Sequence, residues 1–148
     1  MLLASIMHKE VVVKPVFKII LLASLVAAAP AVFAQTPAQT LAAIKQAAAE
    51  TAGFQSFSAA RGEKFFKSTH GNDWSCASCH GENPAASGKH ARTGKVIQPL
   101  ATAANPERFT DQAKVDKWFK RNCNDVANRA CTPLEKGDVL TYLMSLNK

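Results

Sequence analysis

Apolar side chains recur at helical spacing in four stretches of this chain, and a long segment between the second and third shows no period. In the alanine-rich run from Leu41 to Glu50, Leu41, Ile44 and Ala48 share one face, which predicts a short helix. Ser56 or Ser58 is placed to cap a second helix that reaches about Ser68. Ala59, Gly62 and Phe66 lie on one face of it. A glycine inside a helix costs roughly 1 kcal/mol against alanine, so Gly62 predicts a second helix crossing closely there. Between Gly81 and Phe109, Gly81, Pro84, Gly88, Gly94, Pro99 and Pro106 break any regular pattern. Irregular segments of this length in small domains usually belong to a functional site. Thr110 then caps a third helix with Asp111 in its first turn. At about 100° per residue, Val115, Trp118, Phe119 and Asn122 share a stripe opposite Lys114, Lys117, Lys120 and Arg121. Asn122 therefore sides with the apolar stripe, where its amide needs a partner. The last helix opens on Thr132-Pro133-Leu134-Glu135, an N-cap, a proline at N1 and a glutamate at N3. It runs to about Leu146, with Val139, Leu140, Leu143 and Met144 as its apolar face and Tyr142 to one side. The expected fold class is all-α.

The first 34 residues read as an export signal outside this fold. Lys9, Lys14 and Lys18 make a basic start, Ile19 to Ala29 is a short apolar run, and Val32-Phe33-Ala34 ends in a residue suited to cleavage. A start at Met7 would give a more ordinary leader. The apolar run is short for a membrane anchor. The expected division is a signal peptide over 1–34, an extension with a short helix over 35–55, and one small domain over 56–148, placed in the periplasm. The whole chain carries a formal net charge of +7, and the remainder stays moderately basic without its leader. Such a balance suits steering toward an acidic protein partner and gives no specific support for nucleic-acid binding. Contact with a membrane is expected only through a partner.

Candidate chemistry centres on Cys76-Ala77-Ser78-Cys79-His80. Cys-x-x-Cys-His is the attachment pattern of a c-type haem. Two thiols about one helical turn apart can both reach the vinyl groups along one porphyrin edge, and the next histidine is held where its imidazole ligates the iron. A zinc site would want a second Cys/His pair at matching spacing, and a redox dithiol sits in a βαβ pattern; the sequence offers neither. One such motif implies one covalent haem c. Of four cysteines, Cys123 and Cys131 remain, and in an oxidising compartment they most simply form a bridge around Asn124 to Ala130. Free thiols or a metal pair are the alternatives. Arg92, Thr93 and Lys95 in the irregular segment suit haem propionates, or stand as solvated surface.

The second axial ligand separates function classes. Methionine is the usual choice in class I cytochromes c, yet past the leader only Met144 remains, and it sits in an apolar stripe. His70, His90, Lys89 and Lys95 are further donors in polar surroundings. Asn122 points inward beside Trp118 and Phe119 and is tethered by the adjacent Cys123, which makes it a candidate ligand or a buried, hydrogen-bonded amide.

The plan of a helix before Cys-x-x-Cys-His and a terminal helix carrying Leu140-Thr141-Tyr142-Leu143 is similar to class I cytochrome c. Within that class, Arg92 to Leu100, Asn105-Pro106-Glu107-Arg108-Phe109-Thr110-Asp111, Trp118 to Asn124 and Cys131 to Lys136 resemble the Sphaeroides haem protein family. The resemblance spans most of Ala60 to Leu146. It implies iron ligation by His80 and Asn122, a disulfide between Cys123 and Cys131, and release of the asparagine on reduction, after which O₂ or NO can bind. It also implies a dihaem or other c-type cytochrome as electron donor, and a Pro99 carbonyl that accepts the proximal imidazole N–H. The expected function is an exported, electron-accepting monohaem cytochrome rather than an enzyme, with Trp118 and Phe119 walling the ligand side. The rivals are an ordinary His/Met electron carrier and a haem gas sensor or oxygen-reducing enzyme.

Overall fold

The computed structural model describes residues 35–147, so the leader expected over 1–34 lies outside the described residues. Five helices and one small hairpin follow in the order α1 (Pro37–Ala49), α2 (Ala59–Lys67), α3 (Cys76–His80), β1 (Gly88–Lys89), β2 (Val96–Ile97), α4 (Gln112–Ala127) and α5 (Pro133–Ser145). Among the described residues no helix is long and apolar enough to cross a membrane.

Helix starts follow local hydrogen-bonding chemistry. Thr36 and Gln39 form a capping box on α1, Ser75 and Ser78 on α3, and Thr132 and Glu135 on α5, each satisfying otherwise orphaned N–H groups. Ser58, not Ser56, caps α2 by accepting from Arg61 N. The cap of α4 corrects the expectation by one residue. Asp111 accepts from Lys114 N, while the Thr110 hydroxyl donates backwards to Glu107 O at 2.8 Å. Asn128 ends α4 in the left-handed conformation at φ 53°.

The core forms where α5 lies across α2, with α1 also against α5. Phe66, Ala77, Val139, Tyr142 and Leu143 make its buried centre, bordered by partly buried Phe65, Cys76, Leu100, Phe109, Phe119 and Leu146. Tyr142, expected beside the apolar face, is buried within it. The crossing at Gly62 is as close as the sequence implies: a Cβ there would overlap the backbone carbonyl of Asp138. The same crossing is tied by a buried carboxylate. Asp138 accepts from Arg61 Nε at 2.7 Å, Arg61 Nη2 at 2.9 Å and Ser58 N at 2.6 Å, so its charge is paired and fully hydrogen-bonded. Thr40, Ile44 and Ala48 of α1 are buried, so this helix within the expected extension contributes to the core.

The irregular segment carries the one ladder found among the described residues. β1 and β2 pair antiparallel, Gly88 opposite Ile97 and Lys89 opposite Val96. Two residues per strand leave too short a run for a period-2 signal. Helix α4 joins the core chiefly through Phe119, its backbone lying farther from the other helices than theirs do from one another among the described residues. It is held near its ends. Thr40 Oγ1 donates to Phe109 O at 2.7 Å and Gln35 N to Thr110 O at 3.0 Å just before it. Asn72 Nδ2 donates to Val126 O at 2.8 Å, and Cys123 and Cys131 are paired with Cα atoms 5.5 Å apart.

Candidate haem-attachment site

α3 is a single turn with Cys76 at its start, Cys79 three residues on, and His80 at its end. Such a short helix is marginal alone, and here the Ser75–Ser78 box fixes its start while Gly81, at φ 80°, turns the chain away behind it. Gly88 from β1 lies so close that a Cβ would overlap the Cys79 carbonyl and the His80 backbone. The hairpin therefore braces the back of the attachment turn. Ala91 N also donates to Cys79 Sγ at 3.4 Å.

Both thiols are half-buried. Burial pushes the Cys76 thiol up to about 12, which makes it a poor attacking thiolate near neutral pH and argues against a free redox dithiol. Burial, then the charge of Arg108, then His90, lowers His80 to about 4. Its imidazole is therefore neutral near pH 7, the form that ligates iron. His80 Nδ1 is buried and has no hydrogen-bond partner.

The expected bond from that nitrogen to Pro99 is not formed. Pro99 O accepts instead from Arg108 Nε at 2.9 Å and Asn105 Nδ2 at 3.4 Å, and Arg108 Nη2 reaches Gln98 O at 2.7 Å. Pro99 O thus has a donor for each of its two lone pairs, neither of them the imidazole. Arg108 and Asn105 lie in a run quoted above for its resemblance, but nothing in hydrophobic periodicity marks either as a site residue.

The other expected residues take various places. Arg92 and Lys95 are exposed at the hairpin's turn, where the Arg92 guanidinium lies 5.9 Å from the Trp74 ring centroid, just before the attachment turn. His90 Nδ1 accepts from Arg92 N and Thr93 N, both at 3.3 Å, and His70 Nε2 lies 3.0 Å from Phe65 O. Both histidines are thereby committed to local turns. Met144 is half-buried on α5. On α4, Val115, Cys123 and Val126 are buried while Phe119 reaches the core cluster. Asn122 is half-buried on this face and directly precedes the paired Cys123. Trp118 is 49 % exposed at the edge of the stripe.

These residues fit a covalent haem: two half-buried thiols on one turn, a neutral histidine beside them, and a partly buried apolar border from Leu100, Phe109, Phe119 and Leu146. Among the described residues no cluster of three or more His, Cys, Asp or Glu side chains could hold a bare metal ion. An all-α class I-like fold built on a Cys-x-x-Cys-His turn defines a c-type cytochrome with one covalent haem c.

Residues 52–143 match the family described as a domain of unknown function (DUF1924). The chain is 45 % identical over 128 residues to the cytochrome c-type protein SHP of Cereibacter sphaeroides, covering 83 % of this chain and 95 % of that protein. The structure of oxidised SHP, described as an oxygen-binding cytochrome c, superposes with a TM-score of 0.68 at 43 % identity, over 77 % of this chain and 100 % of that one. The solution structure of cytochrome c″ from Methylophilus methylotrophus, described in connection with haem-ligand detachment, gives a TM-score of 0.64 at 36 % identity, over 76 % and 94 %. The chain belongs to the DUF1924 family of Sphaeroides haem protein-like c-type cytochromes.

Proposed function

We propose that this cytochrome is an exported electron acceptor in which His80 and Asn122 would ligate the ferric haem iron and Asn122 would be released on reduction. When bound, haem c would supply a one-electron Fe(III)/Fe(II) couple and an iron able to take a small ligand such as O₂ or NO. His80 is the constant ligand, neutral near pH 7 and braced by the hairpin behind it. Cys76 and Cys79 hold the porphyrin edge through thioethers. Arg92 and Lys95 are positively charged candidates for its propionates.

The observation that carries the reading is the placement of Asn122. It is half-buried on the face of α4 that bears Val115, Phe119 and Val126, with the Cys123–Cys131 pair one residue on. An amide carbonyl is a hard neutral oxygen donor, so it prefers Fe(III) to the softer Fe(II). It lacks the thioether's preference for reduced iron, so the potential falls below that of His/Met cytochromes. Reduction would weaken the amide–iron bond and let the side chain leave, with Trp118 and Phe119 as its neighbours on α4. The descriptions of the relatives as oxygen-binding, and as a case of haem-ligand detachment, support this order of events. A c-type cytochrome serves as donor, and the leader over residues 1–34 directs the chain to the periplasm.

Two substitutions decide between this and an ordinary His/Met carrier. Asn122→Ala retains covalent haem, alters the ferric spectrum and admits external ligands in both oxidation states. Met144→Leu leaves both spectra unchanged. Loss of a near-infrared methionine–iron charge-transfer band in Met144→Leu, with Asn122→Ala silent, reverses the assignment.

A further inference from the structure

α4 turns a second surface outward, away from its buried stripe. Lys117, Lys120 and Arg121 are exposed, and none enters an ion pair among the described residues. Arg61, Lys67, Lys114 and Arg129, by contrast, are each paired with a carboxylate. The three free cations line a shallow concavity of about 360 Å³ with Asn124, Asp125 and Ala130, so one carboxylate faces three positive charges. At its border stands Trp118, one of two large hydrophobic side chains that are widely exposed among the described residues. Lys117 Nζ and Arg121 Cζ lie 5.9 Å and 5.7 Å from its ring centroid. An exposed tryptophan among unpaired cations matches the composition of binding hot spots, where Trp and Arg are enriched.

We propose that this face of α4 is the docking surface for an acidic, electron-donating protein. The inference rests on reading the chain as a redox cytochrome and adds where its donor binds. Charge complementarity names the occupant: unpaired cations in a concavity attract clustered carboxylates and raise the encounter rate. Position adds a reason. At about 100° per residue, Trp118 falls between Arg121 and Asn122 on the helix, so a partner seated on the cations sits beside the proposed ligand face. The partner would lose one electron and the ferric haem gain it, and on the reading above the Asn122–iron coordinate bond would then be released.

The test uses the ferric holoprotein and flash-generated flavin semiquinones as donors. Flavodoxin semiquinone is a protein-sized, acidic donor; lumiflavin semiquinone is small and neutral. Each gives one electron to the ferric haem and its N5 proton to solvent, leaving oxidised flavin. In the variant Lys117→Glu/Lys120→Glu/Arg121→Glu, the second-order rate with flavodoxin is expected to fall about tenfold or more at low ionic strength. The difference should close at high salt, and the lumiflavin rate should hold. Lys117→Gln/Lys120→Gln/Arg121→Gln should fall between, and Lys45→Glu, on the exposed side of α1, should leave both rates near wild type. An unchanged flavodoxin rate in the triple charge reversal overturns the docking surface, as does an equal fall in Lys45→Glu, which would reflect net charge alone. Loss of binding to phosphatidylglycerol vesicles with the flavodoxin rate intact also overturns it, in favour of a lipid surface. If lumiflavin semiquinone fails to reduce the wild-type protein, the redox reading itself falls and the docking proposal with it.

Discussion

Removing the Cys123–Cys131 bridge tests how far the position of Asn122 depends on tethering. The paired cysteines are separated by 8 positions. In the chain-entropy model, closing so short a loop stabilises the folded state by about 2.5 kcal/mol at room temperature. That corresponds to a fall of roughly 10 °C in Tm for a domain of this size. The consequence should not stop at stability. The C-terminal half of α4 is held by the bridge, by Asn72 Nδ2 on Val126 O at 2.8 Å, and by its buried Val126. One hydrogen bond contributes about 1 kcal/mol net, less than the bridge, so the bridge is the stronger anchor. Cys123→Ser/Cys131→Ser holoprotein should therefore unfold at lower urea and also lose the fixed placement of Asn122. The checks are urea titration followed at the haem band, the ferric spectrum, and the ferric affinity for imidazole as an external ligand. Lower stability with unchanged ferric spectrum and unchanged imidazole affinity would refute the tethering argument and confine the bridge to stability.

Three other outcomes follow from the same contacts. Gly62→Ala gains about 1 kcal/mol in helix propensity, but its methyl meets the Asp138 backbone. The steric cost of about 3 kcal/mol should dominate, lowering the urea midpoint of the holoprotein. Glu135 accepts from Arg129 at 2.6 and 2.8 Å and closes the α5 capping box. The Arg129 guanidinium holds its carboxyl below the usual range, so the stabilisation is present above the unfolded carboxyl's pKa and is lost as pH falls through the lower, folded one. Denaturant midpoints of Glu135→Gln and wild type should thus differ near pH 7 and converge in acid. Arg108→Leu frees Pro99 O from its Nε donor, opening that acceptor to His80 Nδ1–H. A hydrogen-bonded imidazole is the more basic ligand, so the ferrous iron–histidine stretch should rise and the midpoint potential fall; an unchanged stretch would mean the imidazole does not take the carbonyl.

What the sequence revealed, and what it hid, divides by the range of the interaction. The α5 capping box and the Gly62 crossing were legible because caps are local chemistry and an interior glycine pays an energetic cost that needs a packing reason. The paired cysteines were legible from residue count and compartment. The cap of α4 was misplaced by one residue because Thr110 and Asp111 are both good caps, and only the direction of the Thr110 hydroxyl decides between them. Arg108 was missed as a site residue for a different reason. Its role lies in reaching the Gln98 and Pro99 carbonyls, 10 and 9 residues back, across a segment with no periodicity. No hydropathy pattern records which backbone oxygen a guanidinium will find. The hairpin was hidden likewise, since what it does for the site depends on Gly88 meeting the Cys79 and His80 backbone.

The two sides of the proposed iron site are held to different degrees, and the difference bears on function. On the His80 side, α3 is capped at its start, braced by Gly88, and joined to the core through Ala77 and Cys76. On the Asn122 side, α4 runs from hydrogen bonds before Asp111 to the Cys123–Cys131 pair, and between them Val115 is buried and Phe119 packs against the core cluster. A ligand that must stay in both oxidation states needs the first arrangement, because small displacements alter coordination. A ligand proposed to leave on reduction needs only a free rotation of its own side chain, and Asn122 is half-buried rather than enclosed. The disulfide keeps this freedom within limits: Asn122 can swing as a side chain while Cys123, the next residue, stays fixed. The proposed ligand switch therefore calls for a side-chain rotation of Asn122 rather than displacement of α4, so that the same amide would be in place to religate on reoxidation.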